Sequence, residues 1–250
     1  MIIEASTRLG ALVIHNDPVP EEELWLGRSA DVSIHTARFP TPRASGEHFT
    51  GRPAERMLSP GVARGLRQLA DLGVHAIGYC FVSSSVFGGG DFDDQFEQLA
   101  TDEAGGTPVI TGGRALRDEV RRRVGHRDVV LVAPPWFSDE TVAALIDYVE
   151  IPSIRVRTHR YVLGPEWEGI ARPELFDAGA RHAITGQGLL EQISALGLRG
   201  SELVVVPGSG MRSYAAQKVI AAVLGLETVS ANGALLSALV SSARGAALVR

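Results

Sequence analysis

The chain has 250 residues, 45% apolar and 21% charged, with a formal net charge of −5. These values fit a globular protein with a full core, and the charge gives no electrostatic basis for a nucleic-acid or membrane partner. One cysteine, Cys80, excludes an internal disulfide framework and a cysteine-based zinc cluster. The N-terminus lacks a signal-peptide pattern and no apolar run is long enough to span a bilayer, so a cytoplasmic enzyme or binding protein is expected.

The predicted elements alternate along the chain. Leu9 to Ile14 reads as a strand that ends in the polar cluster His15-Asn16-Asp17-Pro18, which is either a plain turn or part of a site. Val32 to Thr36 alternates as a second strand. Phe39 to Pro60 is rich in Pro, Gly and Arg and is expected to be a long loop, able to serve as a lid. A helix from Pro60 to Leu72 follows, with Ser59 as its cap and Gly73 as its stop.

The next stretch, VHAIGYCFVSSSVFGGG, is the most informative in the chain. Its apolar run, Ala76 to Val82, reads as a buried strand that breaks into Ser83, Ser84, Ser85 and then Gly88, Gly89 and Gly90. An open α/β sheet binds ligands just past its carboxyl strand ends, so a site is expected here. An acidic helix near Asp91–Ala100 and a strand over Pro108–Thr111 complete the first half.

The second half repeats the rhythm. Helix Arg114–Val124, strand Asp128–Ala133 ending in Pro134-Pro135-Trp136, and a helix capped by Ser138 come first. Strand Ser153–Thr158 leads through His159 into a loop, a helix over Pro173–Ala180 and a less regular stretch. Strand Glu202–Val206 ends in Pro207-Gly208-Ser209-Gly210, which is expected to open a helix over Met211–Leu224. Strand Glu227–Ser230 and a helix over Asn232–Ser242 close the chain. The alternation implies a doubly wound α/β fold in two similar lobes, each with a parallel sheet of about four strands and the site in the cleft between them. The lobes expected are 1–112 with 229–250, the closing helix returning to the first lobe, and 113–228.

At these residues the chain resembles the maleate isomerase and arylmalonate decarboxylase group of the aspartate/glutamate racemase superfamily, over nearly its whole length. Ile34-His35-Thr36-Ala37-Arg38 is close to a Val-His-Thr-Ala-Arg-like strand of that group, and His15-Asn16-Asp17 resembles its first polar turn. Tyr79 to Gly89 overlays the motif Tyr-Gly-Cys-Thr-Ser-Gly-Ser-Phe-x-Gly-Gly without gaps. Pro207 to Arg212 falls on Ser-Cys-Thr-Asn-Leu-Arg, and Ser230 to Leu236 on Ser-Ser-Asn-Gln-Ala-Thr-Leu. The resemblance implies two pseudo-twofold lobes, no metal or organic cofactor, and a cysteine from each lobe acting on a small carboxylate.

Both family cysteines are replaced, the first by Phe81 and the second by Gly208. Cys80 lies one residue early, and on a strand that displacement turns a side chain to the opposite face. It serves in chemistry only if the strand end bulges by one residue, and is otherwise a packed thiol. The expected catalytic candidates are therefore His15 and Cys80, with Asp17, His159, Glu166 and Glu168 as further acid–base groups nearby. The expected substrate contacts are Asn16, Ser83, Ser84, Ser85, Trp136, Gly208, Ser209, Gly210 and Arg212, while Asn232 reads as the cap of the last helix.

The function these features imply is a cofactor-independent, maleate isomerase-like enzyme with altered catalytic residues, acting on a small carboxylate or carbonyl compound. An arylmalonate-type decarboxylase or another repurposed acid–base enzyme, and a catalytically dead small-acid binding protein, are the alternatives. A homodimer or higher homo-oligomer is compatible with this reading.

Overall fold

The protein is described by a computed structural model that places residues 7–247; residues 1–6 and 248–250 of the expected first lobe lie outside the described residues. In chain order the first half runs β1 (Thr7–Ile14), α1 (Val19–Gly27), β2 (Val32–Phe39), α2 (Ala54–Met57), α3 (Pro60–Asp71), β3 (Ala76–Tyr79), α4 (Val82–Glu103) and β4 (Val109–Thr111). The second runs α5 (Gly112–Val124), β5 (Val129–Ala133), α6 (Asp139–Val149), β6 (Val156–Arg160), α7 (Gly186–Ala195), β7 (Leu203–Val206), α8 (Tyr214–Leu224), β8 (Glu227–Ser230) and α9 (Ala231–Ala247).

The strands form two all-parallel sheets of four, ordered β2-β1-β3-β4 and β6-β5-β7-β8. The two orders are the same pattern repeated. β3, β5 and β7 are buried along their full length, as expected of parallel strands covered by helices on both faces. In the first half, aromatic rings fill the space beside the sheet: Phe39 stacks on Tyr79 at 5.3 Å, and Tyr79 meets Phe96 at 4.5 Å.

The two halves meet through helix pairs that include α4 with α5 and α6, and α1 with α8 and α9. The last helix also crosses onto the first sheet, where a Cβ on Gly78 would come within 3.0 Å of Leu235 and of Leu239. Glycine at that strand position therefore sets the close approach of α9 to β3.

Four sequence expectations change. The strand predicted to reach Val82 stops at Tyr79, and the serines lie in the first turn of α4 rather than in a loop. A short apolar run does not distinguish a buried strand from a buried helix turn, and here Val82 and Val86 are helical and buried. Gly89, at φ 68° and ψ −166°, breaks α4 where a loop was expected. The helix expected over Pro173–Ala180 is replaced by single 3-10 turns at Arg172–Glu174 and Ala180–His182, separated at Gly179, which has φ 97°. The helix expected from Met211 starts only at Tyr214.

Cys80 follows β3 and is 1% exposed, packed with Leu9, Val82, Leu116 and Leu235 in the shared core. Its thiol is 3.7 Å from the Gly78 carbonyl, and burial pushes it well above the ordinary thiol range.

Between α4 and α6, the buried Asp93 accepts hydrogen bonds from Tyr148 Oη at 2.6 Å and Thr111 Oγ1 at 2.7 Å, with Arg117 3.7 Å away. Two measurements follow. Replacing Tyr148 by Phe leaves a lone pair of a fully buried carboxylate without its donor, and denaturant titration is expected to show a loss of about 1–3 kcal/mol. A Cys80-directed thiol reagent in native buffer is expected to react only at the rate of unfolding, and rapid labelling of the folded protein would contradict the packing described.

Candidate functional site

In each sheet the strand order reverses beside the central strand, between β1 and β3 and between β5 and β7. Such reversals leave a crevice at the carboxyl strand ends. The two crevices face each other and enclose one cavity of about 70 Å³. Its wall takes Ile14 and Asp17 from beyond β1, Phe81 to Ser83 from beyond β3, Trp136 and Phe137 from beyond β5, and Gly208 to Gly210 from beyond β7. The volume suits several waters or one small organic molecule.

The expected substrate contacts Ser83, Trp136, Gly208, Ser209 and Gly210 lie on this wall. The other sequence candidates are elsewhere. Ser84 is buried and donates to the Phe81 carbonyl at 2.7 Å, closing the first turn of α4, and Ser85 is buried where Gly113 passes. Asn16 is half-buried and does not line the cavity. Arg212 forms an ion pair with Glu22 at 2.9 Å, outside the wall. His15 is exposed and Cys80 belongs to the core, so neither expected catalytic group is on the wall. His159 meets Gln192 at 3.0 Å, and Glu166 and Glu168 are exposed.

Register explains the position of Cys80. Phe81 and not Cys80 points into the cavity, as the one-residue displacement requires. At the second family position the chain has no room for a side chain, because a Cβ on Gly208 would lie 2.5 Å from Pro134 Cγ.

Asp17 is the group that the sequence reading underrated. It sits in the turn after β1 and is 2% exposed, with a single hydrogen bond, from the Val19 N–H to Oδ1 at 3.1 Å. Its other oxygen lies against Gly210, where a Cβ would approach Oδ2 to 3.2 Å. Burial pushes this carboxyl up to about 6, and the one backbone donor with the charges of Arg181 and Arg38 only partly oppose the shift. A carboxyl that titrates near neutrality on a cavity wall is suited to proton transfer.

The facing surface supplies donors. The first N–H groups of α4 have no intrahelical acceptor, and Phe81, at its cap, offers no side-chain hydrogen bond. Val82 and Ser83, whose amides these are, line the cavity, so an oxyanion or carboxylate is favoured there.

The cavity is covered from both halves. Thr41, Arg43, Glu47, His48 and Phe49 belong to the segment expected as a lid, and Pro173 and Phe176 to the opposite half. Asp177 joins the two, with one oxygen accepting from Arg43 at 2.9 Å, Ser45 Oγ at 3.2 Å and Gly46 N–H at 3.2 Å. Phe49 packs edge-on against Phe81 at 5.0 Å, and Trp136 against Phe176 at 5.2 Å.

The Gly208–Gly210 segment is held from behind. Asn232 Nδ2 donates to the Ser209 carbonyl at 2.9 Å and to Glu23 Oε2 at 3.0 Å. Glu23, 1% exposed, also accepts from the Tyr214 N–H at 2.8 Å and so caps α8 from the other half. This corrects the expectation for Asn232. Ser230 Oγ accepts from the Gly233 N–H at 3.2 Å and caps α9, while Asn232, already inside the helix, is turned toward the site.

Among the described residues no cluster of His, Cys, Asp or Glu is placed to hold a metal ion, and no helix is long and apolar enough to cross a membrane. No family model and no curated protein sequence matches the chain. Solved structures do match. The maleate isomerase Iso from Pseudomonas putida S16 is 19% identical with a TM-score of 0.74, covering 94% of this chain and 92% of that one. Unliganded arylmalonate decarboxylase is 17% identical with a TM-score of 0.68, over 95% and 93% of the two chains. A cysteine-to-serine mutant of the Nocardia farcinica maleate cis-trans isomerase, with a covalently bound succinylcysteine intermediate, is 18% identical with a TM-score of 0.66, over 94% and 92%. The two parallel sheets and their flanking helices are thus the fold of the maleate isomerases and arylmalonate decarboxylases.

Proposed function

We propose that the protein is a cofactor-independent enzyme that moves a proton next to the carbonyl group of a small carboxylate or carbonyl compound, with Asp17 as its acid–base group. The observation that carries this reading is the buried Asp17 carboxyl lining one cavity with the open N-terminal turn of α4. The neighbours in fold are named for maleate isomerisation and arylmalonate decarboxylation, which supports an isomerase or decarboxylase-type reaction class.

In this reading the ionised Asp17 takes a proton from the carbon beside the carbonyl, so the C–H bond breaks and its electron pair moves onto the carbonyl oxygen. The resulting enolate oxygen is held by the amides of Val82 and Ser83. Return of the proton from Asp17 to a conjugated carbon gives the isomer, and the carboxylate is regenerated. Neither thiol position takes part, since Phe81 and Gly208 occupy them.

A small-acid binding protein without turnover is the second reading, favoured by the loss of both thiol positions. It keeps ligand-induced stabilisation but no rate dependent on Asp17.

The charge state of Asp17 separates the readings. With Asp17 as base, kcat/KM should rise with pH through about 6 and level off above it. Asp17→Asn should lower it by about 10²-fold or more. The same substitution has a stability signature of known sign. Below about pH 4 the group is protonated folded and unfolded, so it carries no penalty; above about 6 it is ionised in both, and burial opposes the folded form. Asp17→Asn should therefore stabilise the protein by up to about 3 kcal/mol at pH 8 and by little at pH 4, read from denaturant curves. Turnover that survives Asp17→Asn would end the proton-transfer reading.

A further inference from the structure

The cavity that holds Asp17 has an unusual balance for a site that would take a dicarboxylate. Its wall carries one guanidinium, Arg43, and two carboxyl groups, Asp17 and Glu47. Arg43 is already neutralised, 2.9 Å from Asp177, in a latch where the same oxygen also accepts from Ser45 and Gly46. His48 is the remaining lining group able to carry positive charge. A second carboxylate on a ligand would thus meet no unpaired guanidinium on the wall itself, Arg181 lying behind the Phe176 ring at 4.8 Å, and two wall carboxyls would oppose it.

The rest of the wall combines Thr41, Ser83, Thr141 and Ser209 with a larger apolar part. Phe49, Phe81, Trp136 and Phe176, with Ile14 and Phe137, form most of the surface away from the α4 amides. Phe81 and Phe49 meet edge-to-face at 5.0 Å, as do Trp136 and Phe176 at 5.2 Å, so two aromatic pairs stand around the space. Such walls receive a flat apolar group and cannot satisfy a charged one.

We propose that the cavity selects an acid with one carboxylate and a flat apolar arm, and excludes dicarboxylates, with the Arg43–Asp177 pair and Phe49 as the residues that set the choice. The head sits on the amides of Val82 and Ser83, and the arm lies between the aromatic pairs. This rests on the same cavity being the site of the proposed reaction. It departs from the neighbours in fold, whose names specify maleate and arylmalonate.

Calorimetric titration of the full chain with phenylacetate, phenylmalonate, maleate and acetate tests the assignment. Phenylacetate is expected to bind at least about tenfold more tightly than each of the others. Phe49→Ala should reduce that advantage over acetate by about tenfold. Asp177→Asn, which releases Arg43, should improve phenylmalonate relative to phenylacetate by about tenfold. Phenylmalonate or maleate binding as tightly as phenylacetate, or no binding by any of the four, overturns the proposal. Repeating the titration with Asp17→Asn keeps the two readings apart. Selective phenylacetate binding without any Asp17-dependent turnover sinks the proton-transfer reading alone, whereas Asp17-dependent turnover of a dicarboxylate sinks the selectivity alone.

Discussion

The site depends on one buried carboxylate that is not on its wall. Glu23, from α1, reaches across to the other half, accepts the amides that open α8, and holds the Asn232 amide that in turn fixes the Ser209 carbonyl. Its contact with α8 joins residues as far apart in sequence as 23 and 214, so it forms only when α1 and α8 have docked. It also decides where an anion can sit. In the repeated strand pattern, α8 follows β7 as α4 follows β3, and each helix offers unpaired amides at its start. Glu23 consumes those of α8. Those of α4 have no side-chain cap, so the two similar halves differ at this point, and the proposed function places the ligand there.

Three buried carboxyl groups near the halves' junction show how their surroundings assign different work. Asp93 is satisfied by Tyr148, Thr111 and the nearby Arg117, and Glu23 by amides and Asn232. Both hold helices together. Asp17 has one backbone donor and faces the cavity, and its desolvation goes largely uncompensated. A group kept in that state destabilises the fold above its own titration range. Proteins retain such groups at sites more readily than in frameworks, where better-paired alternatives are available.

Much of the fold was legible because the parallel strands are short apolar runs separated by caps that behave locally. Ser59, Ser138 and the strands ending at Ile14, Ala133 and Val206 are placed by neighbours in sequence. The start of α4 was not, since Val82 and Val86 are apolar whether the backbone there is extended or helical. The site was legible in outline, as polar and glycine-rich strand ends. Its chemistry was hidden for a different reason. Asp17 in isolation is an ordinary turn residue, and its burial on the cavity wall arises only when distant parts of the chain pack together. Asn232 misled for the same reason, its true partners being Glu23 and Ser209 rather than its own helix.

The residues at the two positions where the resemblance leads to an expectation of thiols differ in kind. At Gly208 the space is gone, filled by Pro134 and Met211, so no side chain could be restored there without moving β5's end. At Phe81 the space is filled from the same residue, and Phe49 on the covering segment packs against it. Gly208 presents only backbone to the wall. Phe81 presents a ring there, packed against Phe49. Phe81 is also the residue at the α4 cap, and its lack of a capping side chain leaves the Val82 and Ser83 amides free beside its ring. One residue thus sets an apolar surface next to an uncapped helix turn, and that adjacency, together with the buried Asp17 carboxyl on the same wall, is what the proposed chemistry is built from.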